Sequence, residues 1–260
     1  MLLNNANFRK IKKLTGQAIG AFNLIENGDR IAVAVSGGKD SYTLLHILNQ
    51  LRLRAPIQFE LVAVNVDAGF PGYRKDVLED YLSGCGFQLH MEAIDCSQII
   101  DEKLRPGSSY CAFCARLRRG ILYSVADRLV CNKIALGHHL DDFIETLLLN
   151  QFYVGTLAAM SPKLLADNKR HTVIRPLVYV EESDIIEFAQ QNEFPIIDCG
   201  CPMMKKEDQK RQRMKQLISE LVKENRYLKR SMIRSLSNVR PRHLLDLELT
   251  RLIGMGEQGA

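Results

Sequence analysis

The sequence predicts an α/β fold: a doubly wound, mostly parallel sheet with helices on both faces, extended by helical segments at both ends. Three observations predict it. Short apolar, β-rich runs alternate with helical stretches from residue 30 to about residue 197. The runs are apolar throughout rather than alternating, as strands buried on both faces are. Loops that directly follow the runs carry glycine, serine, histidine and aspartate, and ligands in such sheets bind beyond the carboxyl ends of the strands.

Residues 8–27 have apolar positions at three- and four-residue spacing with basic residues between, an amphipathic helix ended by Gly28 and Asp29. Arg30–Ser36 (RIAVAVS) is the first buried strand, Gly37–Ser41 a turn and Tyr42–Arg52 a helix. Phe59–Val66 is the second strand, 71–84 a helix and Gln88–Ile94 the third strand. Arg116–Leu129 reads as a helix, Lys133–Leu136 as a strand, and Asp141–Phe152 as the helix after Gly137. Val173–Leu177 is a short strand, Glu182–Gln191 a helix, and Pro195–Ile197 leads into a loop. The organisation is a helical segment over 1–29, the α/β domain over 30–200 and a basic helical extension over 201–260, with no internal repeat.

Of the 260 residues, 46% are apolar and 25% charged, which excludes a disordered, collagen-like or low-complexity chain. No apolar run approaches the roughly 18–20 residues that span a bilayer, so no membrane partner is expected. The first residues have no apolar core with a small-residue cleavage site, and a signal peptide is not expected either. Seven cysteines in a chain long enough to fill its own core point to a cytoplasmic protein using thiols for metal or chemistry. Net charge is +5, unevenly spread: Lys205 to Arg242 holds 13 Lys/Arg against 4 Asp/Glu. A mildly acidic body thus carries a basic segment suited to a polyanion, and a solvated helix face is the alternative.

Ser36-Gly37-Gly38-Lys39-Asp40-Ser41 follows a buried strand and opens a helix. Two glycines allow close backbone approach, and N–H groups at a helix N-terminus point at an anion. Ser36 and Ser41 add hydroxyls, and Asp40 can hold Mg²⁺ or neutralise Lys39. The adjacent glycines distinguish this loop from the common nucleoside-triphosphate loop, whose glycines are five apart. A second such loop is Gly137-His138-His139-Leu140-Asp141-Asp142, whose paired carboxylates can place Mg²⁺ on phosphates. Its histidines are either ligand contacts or capping residues.

Cys111-Ala112-Phe113-Cys114 has three readings: zinc, iron–sulfur or dithiol redox. Cys199 and Cys201 could complete a four-thiolate zinc site, or one of them a three-thiolate cluster site. Cys85, Cys96 and Cys131 read as small apolar side chains.

The Ser36–Ser41 hexapeptide resembles the signature of the ATP pyrophosphatase (PP-loop) superfamily, as do Val64–Asp67 and Gly137–Asp142. Cys111–Tyr123, Gly137–Asn150, Val173–Leu177, Phe194–Cys201 and Asn238–Leu244 together resemble the tRNA 2-thiocytidine synthetase (TtcA-type) family, in that family's order over nearly the whole chain. The resemblance implies a cytoplasmic homodimer that binds ATP and Mg²⁺, adenylates cytidine 32 of tRNA and exchanges its O2 for sulfur. Ser36, Gly37, Gly38, Lys39, Asp40, Ser41, Asp67, Gly137, His138 and Asp142 carry over as ATP contacts, Asp40 and Asp141 as Mg²⁺ contacts, and Lys39, Asp40, Asp141 and Cys114 as catalytic. It also implies a [4Fe-4S] cluster on Cys111, Cys114 and a third cysteine. The family shows two late cysteines separated by two residues; here Cys199 and Cys201 are separated by one. The Cys-Pro step selects Cys201, with Cys199 the substitute. Arg116, Arg118, Arg119, Lys205, Lys206 and Arg211 are the expected tRNA contacts, and a cysteine-desulfurase-type protein the expected sulfur donor. Rival readings are a persulfide thiolase, an amine ligase of the same superfamily, and a non-enzymatic RNA-binding metalloprotein.

Overall fold

A computed structural model of the chain describes residues 5–105, 109–198, 200–201 and 209–256. Six strands form one sheet: β1 Asp29–Ala34, β2 Phe59–Asp67, β3 Leu89–Ala93, β4 Lys133–Ala135, β5 Lys163–Leu165 and β6 Thr172–Ile174. Their order is β3-β2-β1-β4-β6-β5, and every pair is parallel except the edge pair β5–β6. The chain steps outward from β1 to β3 and then returns to β4 on the other side of β1. Strand order therefore reverses between β1 and β4, which opens a crevice beyond their carboxyl ends.

The helices are α1 Ala6–Phe22, α2 Lys39–Arg52, α3 Lys75–Gly84, α4 Cys96–Lys103, α5 Tyr110–Arg128, α6 Leu140–Leu149, α7 Glu182–Gln191, α8 Gln209–Glu224, α9 Leu228–Ser235 and α10 Leu247–Gly256. Strand side chains alternate between two cores, as the two-residue period requires. Ile31 and Val33 of β1 enter the larger core with Ile11 of α1, Leu44 and Leu48 of α2 and Phe188 of α7. Ala32, between them, faces Leu122, Val125 and Ala126 of α5 on the other side. Burial on both faces is why the strands read as continuous apolar runs rather than alternating ones.

Two elements arise where none is expected, and a third begins earlier than expected. The short α4 arises where no helix is expected, because Asp95 caps it by accepting from the Gln98 N–H at 3.0 Å. The antiparallel β5 is three exposed residues at the sheet edge, too short and too little buried to leave a periodic signal. The helix expected from Arg116 begins earlier, at Tyr110, so Cys111 and Cys114 lie within its first five residues.

The basic extension docks on the body. Met214 and Ile218, one turn apart on α8, pack against Leu140, Ile144 and Leu148 of α6. Around that contact Arg211 Nε lies 2.8 Å from Glu145 Oε2, and Lys215 Nζ lies 3.8 Å from Glu145 and 3.2 Å from Glu182. Lys229 of α9 lies 2.7 Å from Asp141 and 3.1 Å from Glu181. Part of the positive charge of the extension thus neutralises the acidic body. Burial raises the pKa of Glu145, against the pull of Lys215 and Arg211. No helix among the described residues is long and apolar enough to cross a membrane.

His46 of α2 predicts how this fold responds to acid. Its ring is buried, stacks on Phe194 at 5.2 Å between centroids and lies 2.7 Å from the Tyr81 hydroxyl. Burial pushes its pKa down to about 4. The unfolded chain keeps an ordinary histidine near 6.5 and binds the proton first as pH falls. Stability is therefore expected to fall between pH 6.5 and 4, by up to about 3 kcal/mol from this group. Thermal unfolding of wild type and His46→Gln over that range checks it: the variant should lose less stability on acidification, and parallel pH curves refute it.

Candidate active site

The loop after β1 is built around two close approaches. Val35 N–H donates to Val64 O at 2.8 Å and so extends β1 pairing to the edge of the loop. Gly37 then takes φ +84°, and a Cβ there would meet Ile197 at 3.1 Å; Ile197 N–H donates to Gly37 O at 3.0 Å. Gly38 caps α2 without a side chain, leaving the first-turn N–H groups directed at the crevice. Ser41 Oγ closes the loop by donating to Gly38 O at 2.8 Å and accepting from Ser36 N–H at 3.2 Å. Gly137, at the end of the neighbouring strand, presses on this turn: a Cβ would sit 3.1 Å from the Asp40 carbonyl carbon. The two motif loops are thus in backbone contact across the strand-order reversal.

Lys39 Nζ lies 3.1 Å from Asp40 and 3.1 Å from Glu182. Burial disfavours its charge, but the two carboxylates outweigh that and hold its pKa above the ordinary lysine value. Burial likewise opposes ionisation of Glu182, and Lys39 and Lys215 outweigh it, lowering its pKa. Asp40 Oδ1 is buried and is the oxygen paired with Lys39, while Oδ2 accepts from the same ammonium at 3.2 Å. His139 Nε2 lies 3.7 Å from Asp40 and 3.5 Å from Asp142, and Asp142 Oδ2 accepts the His139 N–H at 3.0 Å, capping α6. Asp141 reaches the same end of α6, but its oxygens are engaged: Oδ2 accepts the Glu182 N–H at 2.7 Å and Oδ1 holds Lys229. Asp67 accepts the N–H of Gly69 at 2.9 Å, closing its own turn. His138 Nδ1 accepts from Arg175 Nε at 3.3 Å; burial first, and then Arg175, push its pKa down to about 4. The ring is neutral at physiological pH, with Nε2 left as the donor.

Two cavities meet at this loop. One, of about 280 Å³, is bounded by Val35, Ser36, Val64, Leu122 and His138. The other, of about 350 Å³, is bounded by Gly38, Lys39, Asp40, Tyr73 and Asp198. Ser36, Val66 and Arg118 line both.

Ala68 lines the second cavity and also belongs to the apolar patch that holds the thiols. Ser109 caps α5 by accepting the Ala112 N–H at 3.3 Å, which fixes Cys111 and Cys114 in its first turn. Cys114 and Cys201 are half-buried against one apolar patch of Ala68, Phe70 and Ile100, and Cys111 is exposed. Gly200, at φ +67°, has its Cα so close to the 71–73 backbone that a Cβ would fall 2.8 Å from Pro71 O. That approach delivers Cys201 to the patch. Cys96, buried in the same patch, touches the Cys114 thiol; burial and then Cys114 push its pKa up to about 11. Among the described residues no three Cys, His, Asp or Glu side chains are positioned to hold a metal ion. Cys199 lies outside the described residues, as do Lys205 and Lys206. Arg116 is exposed, Arg118 and Arg119 line the first cavity, and Arg211 is ion-paired to Glu145.

Residues 3–199 match the PP-loop domain family. The tRNA-cytidine(32) 2-sulfurtransferase of Syntrophotalea carbinolica is 71% identical over 242 residues, 93% of this chain and 93% of that protein. The enzyme of the same description from Geobacter sulfurreducens is 62% identical over 250 residues, 96% of this chain and 97% of that one. The chain belongs to the tRNA-cytidine(32) 2-sulfurtransferase family. Membership in this family reaches beyond the loop domain, because 250 aligned residues must include most of the basic extension. A tRNA-cytidine(32) 2-sulfurtransferase fold is also comparable with a solved structure, the U34-tRNA thiolase NcsA from Methanococcus maripaludis with its [4Fe-4S] cluster. The TM-score is 0.75 at 24% identity, over 90% of this chain and 80% of that one. That likeness speaks for the fold.

Four residues of the site escape sequence reasoning. Glu182 meets Lys39 only because α7 begins beside the loop, and its sequence position marks it as no more than a helix start. Arg175 and Lys229 reach His138 and Asp141 from distant elements. Cys96 reads as an apolar filler, and only its contact with Cys114 distinguishes it.

Proposed function

We propose that the protein uses ATP to adenylate cytidine 32 of tRNA and replaces its O2 by sulfur, giving 2-thiocytidine. The observation that carries this reading is that the cavity lined by the anion-binding loop is also lined by Arg118 of α5 and by Ala68, in whose patch Cys114 and Cys201 pack, in a chain of this family. The N–H groups of Ser36–Ser41 and the Lys39 ammonium bind the phosphates, meeting charge that develops as pyrophosphate leaves. His138 donates from Nε2 at the wall of the first cavity, where the nucleoside end of ATP fits between Val35, Val64 and Leu122. Lys39 leaves its carboxylates for the phosphates; Glu182 retains Lys215 when it does.

The donor sets favour the two inorganic groups that the reading needs. Asp40 Oδ1, a buried oxygen 3.1 Å from Lys39 Nζ, suits Mg²⁺ once Lys39 has turned to the phosphates, whereas Asp141 is held by both Lys229 and the Glu182 N–H. Cys114 and Cys201, beside an apolar patch, and the exposed Cys111 are soft donors and suit an iron–sulfur cluster. Bound there, a [4Fe-4S] cluster with three protein ligands supplies sulfur as the nucleophile. Exposed Arg116, with Arg119, Lys205 and Lys206, serves the tRNA backbone, and the cytidine is splayed from its loop to react. A cysteine-desulfurase-type donor replenishes the sulfur, and the active form is a homodimer.

Nucleoside mass spectrometry of tRNA from a strain lacking this gene tests the reading. Loss of 2-thiocytidine with other thiolated nucleosides retained is the expected result. Unchanged 2-thiocytidine refutes it.

A further inference from the structure

Arg118, one of the arginines expected to meet tRNA, is placed differently from its neighbours. It lies on α5, four residues after Cys114, so the two side chains occupy the same helix face one turn apart. It is half-buried, whereas Arg116 and Arg119 on either side are exposed. Only Ser36 and Val66 share with it the position between the two cavities. Ser36 opens the phosphate loop, so Arg118 lines both cavities together with the start of that loop, and the second of them is also lined by Lys39. Its charge also reaches the Cys96 thiol that touches Cys114. Among the described residues it pairs with no carboxylate, unlike Lys39, Arg211, Lys215 and Lys229. A half-buried guanidinium without a counter-ion, between a phosphate loop and a set of thiols, is matched by an anion bound between them.

Resting on the function proposed above, we propose that Arg118 is a catalytic residue that grips the α-phosphate of ATP and then of the departing AMP. In the first step a bond forms between cytidine O2 and the α-phosphorus, and the bond to pyrophosphate breaks. The phosphates on Lys39 and the loop leave, while the α-phosphate stays on Arg118. In the second step a hydrosulfide-level sulfur adds at C2, the C2–O2 bond breaks with its electron pair going to AMP, and one proton passes to water as C2=S forms. The oxygen lost from cytidine ends in AMP. A planar fork with two parallel N–H donors matches the two non-bridging oxygens of that phosphate through both steps. Lys39 cannot do this, because its partner leaves after the first step.

The test compares Arg118→Ala, Arg118→Lys and Arg116→Ala in the cluster-loaded enzyme. Four quantities are measured: tRNA affinity across a salt series, pyrophosphate release in a single turnover at saturating tRNA and ATP, iron content, and melting temperature. Arg118→Ala should lower pyrophosphate release by about 100-fold with tRNA affinity, its salt slope, iron content and melting temperature near wild type. Arg118→Lys should recover part of the rate. Arg116→Ala should instead weaken tRNA binding and flatten its salt slope. If Arg118→Ala instead weakens tRNA binding and keeps its saturated rate, the residue is a backbone contact and the assignment falls. If it loses iron in proportion to activity, it supports the thiols and the assignment also falls. A wild-type enzyme that thiolates tRNA without releasing pyrophosphate overturns the adenylation reading itself, and this assignment with it.

Discussion

Lys39→Ala is expected to lower ATP-dependent tRNA thiolation by about 10³-fold while leaving the protein folded. Loss of one preorganised donor at a developing oxyanion typically costs 10²–10³ in rate. Lys39 carries a full charge, kept on it by Asp40 and Glu182, which hold its pKa above the ordinary value. Because that pKa is raised, the lysine stays protonated throughout the working range, so the loss should be the same at pH 6.5 and at pH 8.5. The substitution also leaves Asp40 and Glu182 facing incoming phosphates with no cation between them. The fold does not depend on this ammonium, because Glu182 keeps Lys215 at 3.2 Å and the hydrogen bonds of the Gly38–Ser41 turn involve no Lys39 side chain. AMP formed per tRNA, measured with melting temperature, decides it. A variant retaining a tenth of wild-type turnover sinks the loop assignment, and Lys39→Arg, which keeps the charge but not the shape, should fall between.

The fold and the anion loop were legible in the sequence for the same reason: each is carried by residues adjacent in the chain. Arg30–Ser36 and Phe59–Val66 announce buried strands, and Ser36–Ser41 announces an anion loop at the end of the first strand. The reversal of strand order between β1 and β4 brings the Gly137 loop to the Asp40 carbonyl, and Gly137 leaves room for that approach. The electrostatics of the site were not legible. Glu182 meets Lys39, Lys229 meets Asp141 and Arg211 meets Glu145 across elements that no local pattern connects. The positive balance between Lys205 and Arg242 illustrates the consequence. On composition it is a surface for a polyanion, yet α8 and α9 turn three of its cations onto carboxylates of their own body. A short cap-driven helix such as α4, and an exposed edge strand such as β5, leave no periodic signal and are visible only in the structure.

Substituting serine at Cys111, Cys114 or Cys201 should each remove bound iron and abolish thiolation, whereas Cys199→Ser should keep both. A three-thiolate cluster has no spare ligand on the protein side, and a serine hydroxyl is a harder donor that stays protonated at neutral pH. The expected equivalence of the three is geometric as well as chemical. Ser109 holds Cys111 and Cys114 in one helical turn, and the positive φ of Gly200 with its approach to Pro71 O brings Cys201 to the patch that Cys114 occupies. Gly200→Ala should therefore lose iron without touching a thiol, since its Cβ would collide with that carbonyl oxygen. Cys131→Ala gives the contrast: the side chain is buried beside Val125 and Ile134, far from the thiols in sequence and in a separate core, so iron stays and only stability falls. Anaerobic purification, the visible absorption spectrum, and iron and acid-labile sulfide assays read the outcome. Were Cys114→Ser and Cys201→Ser inactive while iron-free wild type still thiolated tRNA, the cysteines would act as a persulfide pair and the cluster would be excluded. Were Cys199→Ser the variant that lost its iron, the third ligand would move by two residues, and the close approach of Gly200 to Pro71 O would no longer be what places it.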